Sequence, residues 1–260
     1  MPVSPEARSL AVFCDFENVA LGVREAKYAQ FDMDKVLERL LLKGSIVVKK
    51  AYCDWERYKE FKPAMHAASF EMIEIPHLRQ SGKNSADIRM VVDALDLCYT
   101  KQHVDTFVIV SGDSDFSPLV SKLRENAKLV IGVGVKNSSS DLLINNCDEF
   151  IYYDDLVRQD EQKRRAAKKR REAAPAGEDK KQEAYDVVLE TLNALIAERG
   201  AEEKIWGSMV KQALKRRKPG FNESYYGFRA FSDLLEEMQQ KALIKLDPDE
   251  KSGGYLIRPA

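Results

Sequence analysis

Phe107-Val-Ile-Val-Ser-Gly-Asp-Ser-Asp-Phe116 is a short apolar run that stops at a glycine flanked by hydroxyls and two carboxylates. Aromatic and β-branched residues in a row, as from Phe107 to Val110, read as a strand buried on both faces. In open α/β sheets ligands bind beyond the carboxyl ends of such strands, which is where Asp113 and Asp115 fall. The start of the chain repeats the arrangement. Leu10-Ala-Val-Phe-Cys14 runs into Asp15, with Glu17 and Asn18 close behind. The bland account of one such acid is a helix cap, and Asp115 or Ser117 could serve so ahead of Pro118. Capping does not call for acids gathered at the ends of different strands, because like charges that close repel unless a cation or a proton sits among them.

Outward from these two strands, β-type runs alternate with helical patterns through the first 155 residues. Strands are expected at Ala11–Cys14, Ile46–Tyr52, Glu71–Ile75, Phe107–Val110, Leu129–Val133 and Phe150–Tyr152. Helices are expected at Asp34–Leu42, Arg57–Ser69, Ser85–Tyr99, Ser117–Asn126 and Asp141–Asn146. The alternation predicts an α/β fold, a doubly wound and mostly parallel sheet with right-handed crossovers. In the helix opening near Lys83, the spacing of Ile88, Val91, Val92 and Leu95 predicts a core-facing stripe, with Asp87 off it in the first turn. Asn84 and Asp87 have the spacing of a capping box. Asp93 is a secondary acid, suited to a surface hydrogen bond or an outer metal shell.

The 260 residues carry a net charge of −1, unevenly spread. Residues 1 to 155 hold 19 basic and 24 acidic side chains, residues 156 to 182 hold 10 and 5, and residues 183 to 260 hold 12 and 13. A basic connector thus separates two near-neutral or acidic parts, and the expected domains are 1–156, a flexible linker 157–182, and 183–260. Within the linker, Lys163-Arg-Arg-Ala-Ala-Lys-Lys-Arg-Arg171 reads as a solvated tract or an exposed helix ending before Pro175, and as an electrostatic arm for nucleic acid. No apolar segment is long enough to span a membrane, and the first residues lack a secretory signal's pattern. The 4 cysteines, in no metal-binding spacing, fit a reducing compartment, and the expected location is cytoplasmic. His66, His77 and His103 are scattered, which argues against a zinc site or a histidine-based triad.

Asp15 with Asn18, Lys83-Asn-Ser-Ala-Asp87 opening an apolar helix, Ser111-Gly-Asp-Ser-Asp-Phe116 and Cys147-Asp-Glu-Phe150 resemble, in order and spacing, the NYN domain of the LabA-like type. The run before Asp87 departs from the family's usual Lys-Gly-Val-like turn but leaves the acid in place. The resemblance implies a PIN-like nuclease fold, strand order 3-2-1-4-5, and an acidic site that binds Mg²⁺ or Mn²⁺ to cut RNA. Carried over residue by residue, it makes Asp15, Asp87, Asp113 and Asp115 metal-binding or catalytic acids and Asn18 a polar site residue. Lys83, Lys136 and Asn137 are candidate phosphate contacts. Trp55 is weighed equally as a base-stacking platform and as packing, while packing is favoured for Tyr52.

The last part has its own apolar pattern. Val187, Val188, Leu192, Leu195 and Ile196 form one helical stripe, Met209, Val210, Ala213 and Leu214 a second, and Phe228, Phe231, Leu234, Leu235 and Met238 a third. Two β-type runs, Leu243–Leu246 and Tyr255–Ile257, follow, giving the outline of a winged helix-turn-helix. Ile205-Trp-Gly-Ser-Met-Val and the stretch from Lys218 through Phe231 resemble the OST-HTH, or LOTUS, domain, whose members bind RNA or protein partners. Lys215, Arg216, Arg217, Lys218 and Tyr225 fit an RNA-contacting surface, although a DNA-reading winged helix has the same outline. The expected function is a metal-dependent ribonuclease with a C-terminal tethering module; the rival is a non-catalytic RNA-binding or scaffolding regulator.

Overall fold

The computed structural model describes residues 8–28, 30–75, 85–172, 179–200, 202–248 and 254–260. They form two compact units. The first is built on six strands: β1 (Ser9–Asp15), β2 (Ser45–Cys53), β3 (Glu71–Glu74), β4 (Thr106–Val110), β5 (Leu129–Gly134) and β6 (Glu149–Tyr152). All pair in parallel in the order β3-β2-β1-β4-β5-β6. The chain therefore lays strands to one side of β1 and then returns to lay the rest on the other, so the switch point lies between β1 and β4. Cys14 pairs with Val110, which sets Asp15 and Ser111 side by side just past the paired register.

Two-residue periodicity sorts the side chains of these strands. Leu10, Val12, Cys14, Val108 and Val110 enter one core, whose helices are α1 (Phe16–Glu25), α2 (Met33–Lys43), α3 (Lys62–Ala67) and the start of a later helix at Tyr153. Ala11, Phe13, Phe107 and Ile109 enter the other, where the rings of Phe13 and Phe107 stack at 6.0 Å. That face is covered by α4 (Ser85–Thr100), α5 (Ser117–Glu125) and α6 (Asp141–Asn146). Helices on both faces are the reason β1 from Leu10 to Cys14 and β4 from Phe107 to Val110 can be wholly apolar.

Three elements differ from the sequence reading. The helix α1, absent from the expected set, begins directly after β1, with Asp15 as its cap. The helix α4 turns Met90, Ala94 and Cys98 to the sheet and leaves Ile88 and Val92 exposed, correcting the expected stripe. Small side chains at Ala94 and Cys98 let the helix approach the strands closely, and Val91 and Leu95 pack only partly. Finally, residues 157–172 of the expected flexible linker are helical, as the continuation of α7 (Tyr153–Glu172). Tyr153 and Leu156 are buried in the first core, Val157 packs against it, and Asp160 pairs with Lys35 at 2.9 Å. A boundary at residue 156 would cut through this packing.

The second unit holds α8 (Asp179–Arg199), α9 (Gly207–Arg217), α10 (Phe231–Gln240) and the antiparallel pair β7 (Ile244–Pro248) and β8 (Tyr255–Pro259). Its core is made by Tyr185, Val188, Leu192 and Leu195 of α8, Val210, Ala213 and Leu214 of α9, and Leu234, Leu235 and Met238 of α10. Three helices and a two-stranded wing match the winged helix-turn-helix expected from the stripes. Among the described residues no helix is long and apolar enough to cross a membrane.

Candidate active site

Asp15 ends β1 and caps α1, and the two duties fix both of its oxygens. Oδ1 accepts the backbone N–H of Asn18 at 3.3 Å, and Oδ2 accepts the hydroxyl of Ser111 at 3.1 Å. Ser111, fully buried at the end of β4, in turn accepts the N–H of Asp113 on its Oγ at 3.1 Å. Asn18 reaches the same turn, its Oδ1 accepting the N–H of Gly112 at 2.9 Å. The Gly112 carbonyl accepts from Ser140 N–H at 2.9 Å. Asp113 Oδ1 accepts the N–H of Asp115 at 2.9 Å and so caps a 3₁₀ turn, Ser114–Phe116, that leads into α5. The capping role weighed for Asp115 thus belongs to Asp113, and Asp115 is left exposed.

The electrostatics tie Asp87, in the first turn of α4, to this group. Burial comes first in raising the Asp15 carboxyl to about 7, with Asp87 next and Asp113 adding less, while the Asn18 amide and the Ser111 hydroxyl pull the other way. Burial also leads in raising Asp87 to about 6, followed by Asp113, Asp115 and Glu17. Every charged group that shifts these two carboxyls is another carboxylate. Among the described residues no three such side chains stand close enough to hold an ion between them as they are. The donor chemistry nonetheless suits Mg²⁺ or Mn²⁺: the oxygens are all carboxylate, they repel one another, and Mg²⁺ is commonly held through one or two carboxylates and its own waters.

A carboxyl raised on folding adds stability that is fully present below its unfolded value, near 3.8 for Asp15 and Asp87, and is lost as pH climbs through 6 and 7. In metal-free buffer the stability of the wild type relative to Asp15→Asn should therefore fall from about pH 4 to about pH 7 and level off above. Chemical denaturation of both proteins across that range checks it; a difference that does not change with pH removes Asp15 as a titrating group.

The other expected residues divide. Lys83, like Asn84, lies outside the described residues. Lys136 is exposed, its backbone N–H held by Asp154 Oδ2 at 2.8 Å, and Asn137 beside it is exposed as well. Asp93 does not join the acids: it accepts the Tyr52 hydroxyl at 2.9 Å and pairs with Lys50 and Arg89. Trp55 is corrected. It is 1% exposed, packs on Phe16 at 5.1 Å and donates its indole N–H to the Ile73 carbonyl, so no base can stack on it. Arg217 is corrected likewise, its side chain 4% exposed and engaged with Glu190 and Thr191. Lys215 and Lys218 are exposed and Arg216 is half-buried. Tyr225 is exposed, with the Lys180 ammonium 5.0 Å from its ring centre. The role that the sequence reading misses is that of Ser111, which joins Asp15 to the Asp113 amide; Arg57, a candidate contact to an RNA backbone, instead pairs with Glu17 at 3.0 Å. A hydroxyl immediately after an all-apolar strand is the available signal for Ser111.

Comparison with known proteins places these features in a family. The NYN domain family matches residues 9–154, and the OST-HTH/LOTUS domain family matches residues 185–251. An uncharacterised protein of Methanocaldococcus jannaschii is 30% identical over 125 residues, 48% of this chain and 49% of its own length, so the match spans about half of that relative. A crystal structure of a protein of unknown function from Vibrio parahaemolyticus superposes with a TM-score of 0.52 at 28% identity, covering 60% of this chain and 98% of that one.

Proposed function

Because the chain belongs to the NYN domain family, within the PIN-like nuclease superfamily, and carries an OST-HTH/LOTUS domain of a kind known to bind RNA, we propose that it is a metal-dependent ribonuclease whose C-terminal unit tethers the substrate. The observation that carries the reading is that Asp15 at the end of β1 and Asp87 at the start of α4 are raised by burial and by neighbouring carboxylates, among them Asp113 after β4, at the switch point of the sheet. Structural capping accounts for single acids but not for two carboxyls raised first by burial and then by other carboxylates beside them.

In this reading Asp15, Asp87, Asp113 and Asp115 would be drawn together by Mg²⁺ or Mn²⁺ and would hold it through carboxylate oxygens and the ion's own waters. When bound, such an ion supplies Lewis-acid polarisation of the phosphodiester and a water acidified for attack. The protein supplies placement. Ser111 and Asn18 hold the turn that carries Asp113 through their bonds to the Asp113 and Gly112 amides, and Ser111 ties that turn to Asp15. Without a cation the same carboxylates repel an RNA phosphate, which makes substrate approach depend on metal loading. Lys215, Lys218 and exposed Tyr225 of the second unit are suited to backbone contact and base stacking. A protein partner on that unit is the alternative use of the same surface. The four cysteines are free, which supports a reducing compartment and a cytoplasmic location.

The test is incubation of the full chain with labelled single-stranded and structured RNAs in Mn²⁺ or in EDTA. Cutting in Mn²⁺ alone supports the ribonuclease; binding without cutting in either condition favours the non-catalytic regulator.

The basic run Lys163 to Arg171 falls within α7. Replacing its lysines and arginines with neutral polar residues should weaken RNA binding about equally for all sequences. The slope of log affinity against log salt should flatten by about 0.7 for each single-strand phosphate that the run neutralises. A slope unchanged in a salt titration would make this stretch a spacer only.

A further inference from the structure

Next to Asp115 an open groove of about 470 Å³ runs between the start of α5 and α6, lined by Asp115, Ser117, Pro118, Ser121, Leu142 and Asn146. Ser117, the first residue of α5, is 6% exposed and its hydroxyl has no hydrogen-bond partner. Buried hydroxyls are nearly always paired, because a missing partner is not replaced by water. A serine side chain has three staggered positions, so this one can turn to a group that enters the groove.

The lining says what kind of group that is. An anion is poorly served: Pro118 has no N–H, the Ser117 amide is spent on the Ser114 carbonyl, and Asp115 adds negative charge. Leu142 is apolar and exposed, and with Pro118 it offers a surface for a flat, uncharged ring. Asn146 donates its amide to the Leu142 carbonyl at 2.7 Å, which leaves its side-chain oxygen to accept. Hydroxyl partners beside an apolar surface suit a nucleoside. Asp115 and Ser117 line the same groove, so a nucleotide whose phosphate stands at the acids would bring its sugar toward Ser117.

We propose that this groove seats the nucleoside next to the phosphate presented to the carboxylates, its ribose 2′-hydroxyl paired with Ser117 and its base against Leu142 and Pro118. The position of the phosphate rests on the ribonuclease reading. The 2′-hydroxyl is the group by which a protein tells RNA from DNA at one position.

The experiment compares the full-length wild type, Ser117→Ala and Ser121→Trp by titration with single-stranded oligonucleotides in Ca²⁺. The oligonucleotides carry ribose throughout, or 2′-deoxyribose at one position at a time. The wild type should bind the all-ribose strand about three- to tenfold better than one of the singly substituted strands, the range of one hydrogen bond. Ser117→Ala should bind the two alike, with a Tm equal to or above that of the wild type because no native pairing is removed. Ser121→Trp, which fills the groove, should weaken both. A discrimination that survives in Ser117→Ala, its absence in the wild type, or a fall of several degrees in the Ser117→Ala Tm overturns the proposal. If the wild type discriminates in binding but cuts no RNA in Mn²⁺, the ribonuclease reading fails and the groove assignment stands.

Discussion

Asp113→Asn is expected to lower Mn²⁺-dependent RNA cleavage by about 10²- to 10³-fold, the effect of losing several kcal/mol of charge stabilisation at a metal site. The fold should not suffer. The asparagine carbonyl can still accept the Asp115 N–H that Asp113 now accepts at 2.9 Å, so the turn into α5 keeps its cap. Removing the charge also relieves Asp87, whose carboxyl is raised by Asp113 next after burial. In EDTA the Tm of the variant should therefore match or exceed that of the wild type. Initial rates on a labelled RNA, taken with thermal melts in EDTA, check both halves. A rate within threefold of the wild type would remove Asp113 from the site.

The second large effect is expected at Gly112. A Cβ there would lie 2.4 Å from the Ser138 carbonyl oxygen and 2.9 Å from the Ser139 Cα, both backbone atoms that cannot rotate aside. Nor can the turn retreat, because Gly112 is held on one side by Asn18 and on the other by Ser140. Gly112→Ala should cost about 2 kcal/mol, typical of overpacking, and lower the Tm by roughly 4–8 °C. Cleavage should drop by about 10²-fold as Asp113 is displaced, since shifts near 1 Å in a positioned group have that consequence. Melting and rate measurements on the one variant suffice; an unchanged Tm would mean that the loop at Ser138 yields.

The central strands β1, β4 and β5 are legible because each is a nearly unbroken apolar run, and the sixth expected strand joins as β6 at the edge, beyond the order 3-2-1-4-5 that the resemblance implies. The errors share a cause. Asp15, Glu17 and Asn18 draw notice as acids and amides of a site, which hides that Asp15 also starts a helix. With α1 unseen, its Phe16 is missing as a partner for Trp55, and an indole that is wholly packed looks available to RNA. In α4 two stripes of similar spacing compete. The larger side chains at Ile88 and Val92 suggest the wrong one, because closeness of approach favours the small Ala94 and Cys98. The meeting of Asp15 with the turn after β4 follows from strand ends alone, whereas the Ser111 link depends on atomic placement that no spacing rule encodes.

The Asp15–Ser111 hydrogen bond joins residues 96 positions apart, across the central β1–β4 pairing. During synthesis from the N-terminus, β1 and β2 can pair long before β4 exists, and long-range parallel pairing is slow to form. A nascent or truncated chain that stops before β4 therefore carries Asp15 but lacks Asp113 and Asp115. The acids of the proposed site thus come together only once most of the first unit has been made, so the site is completed late in synthesis whatever chemistry it performs.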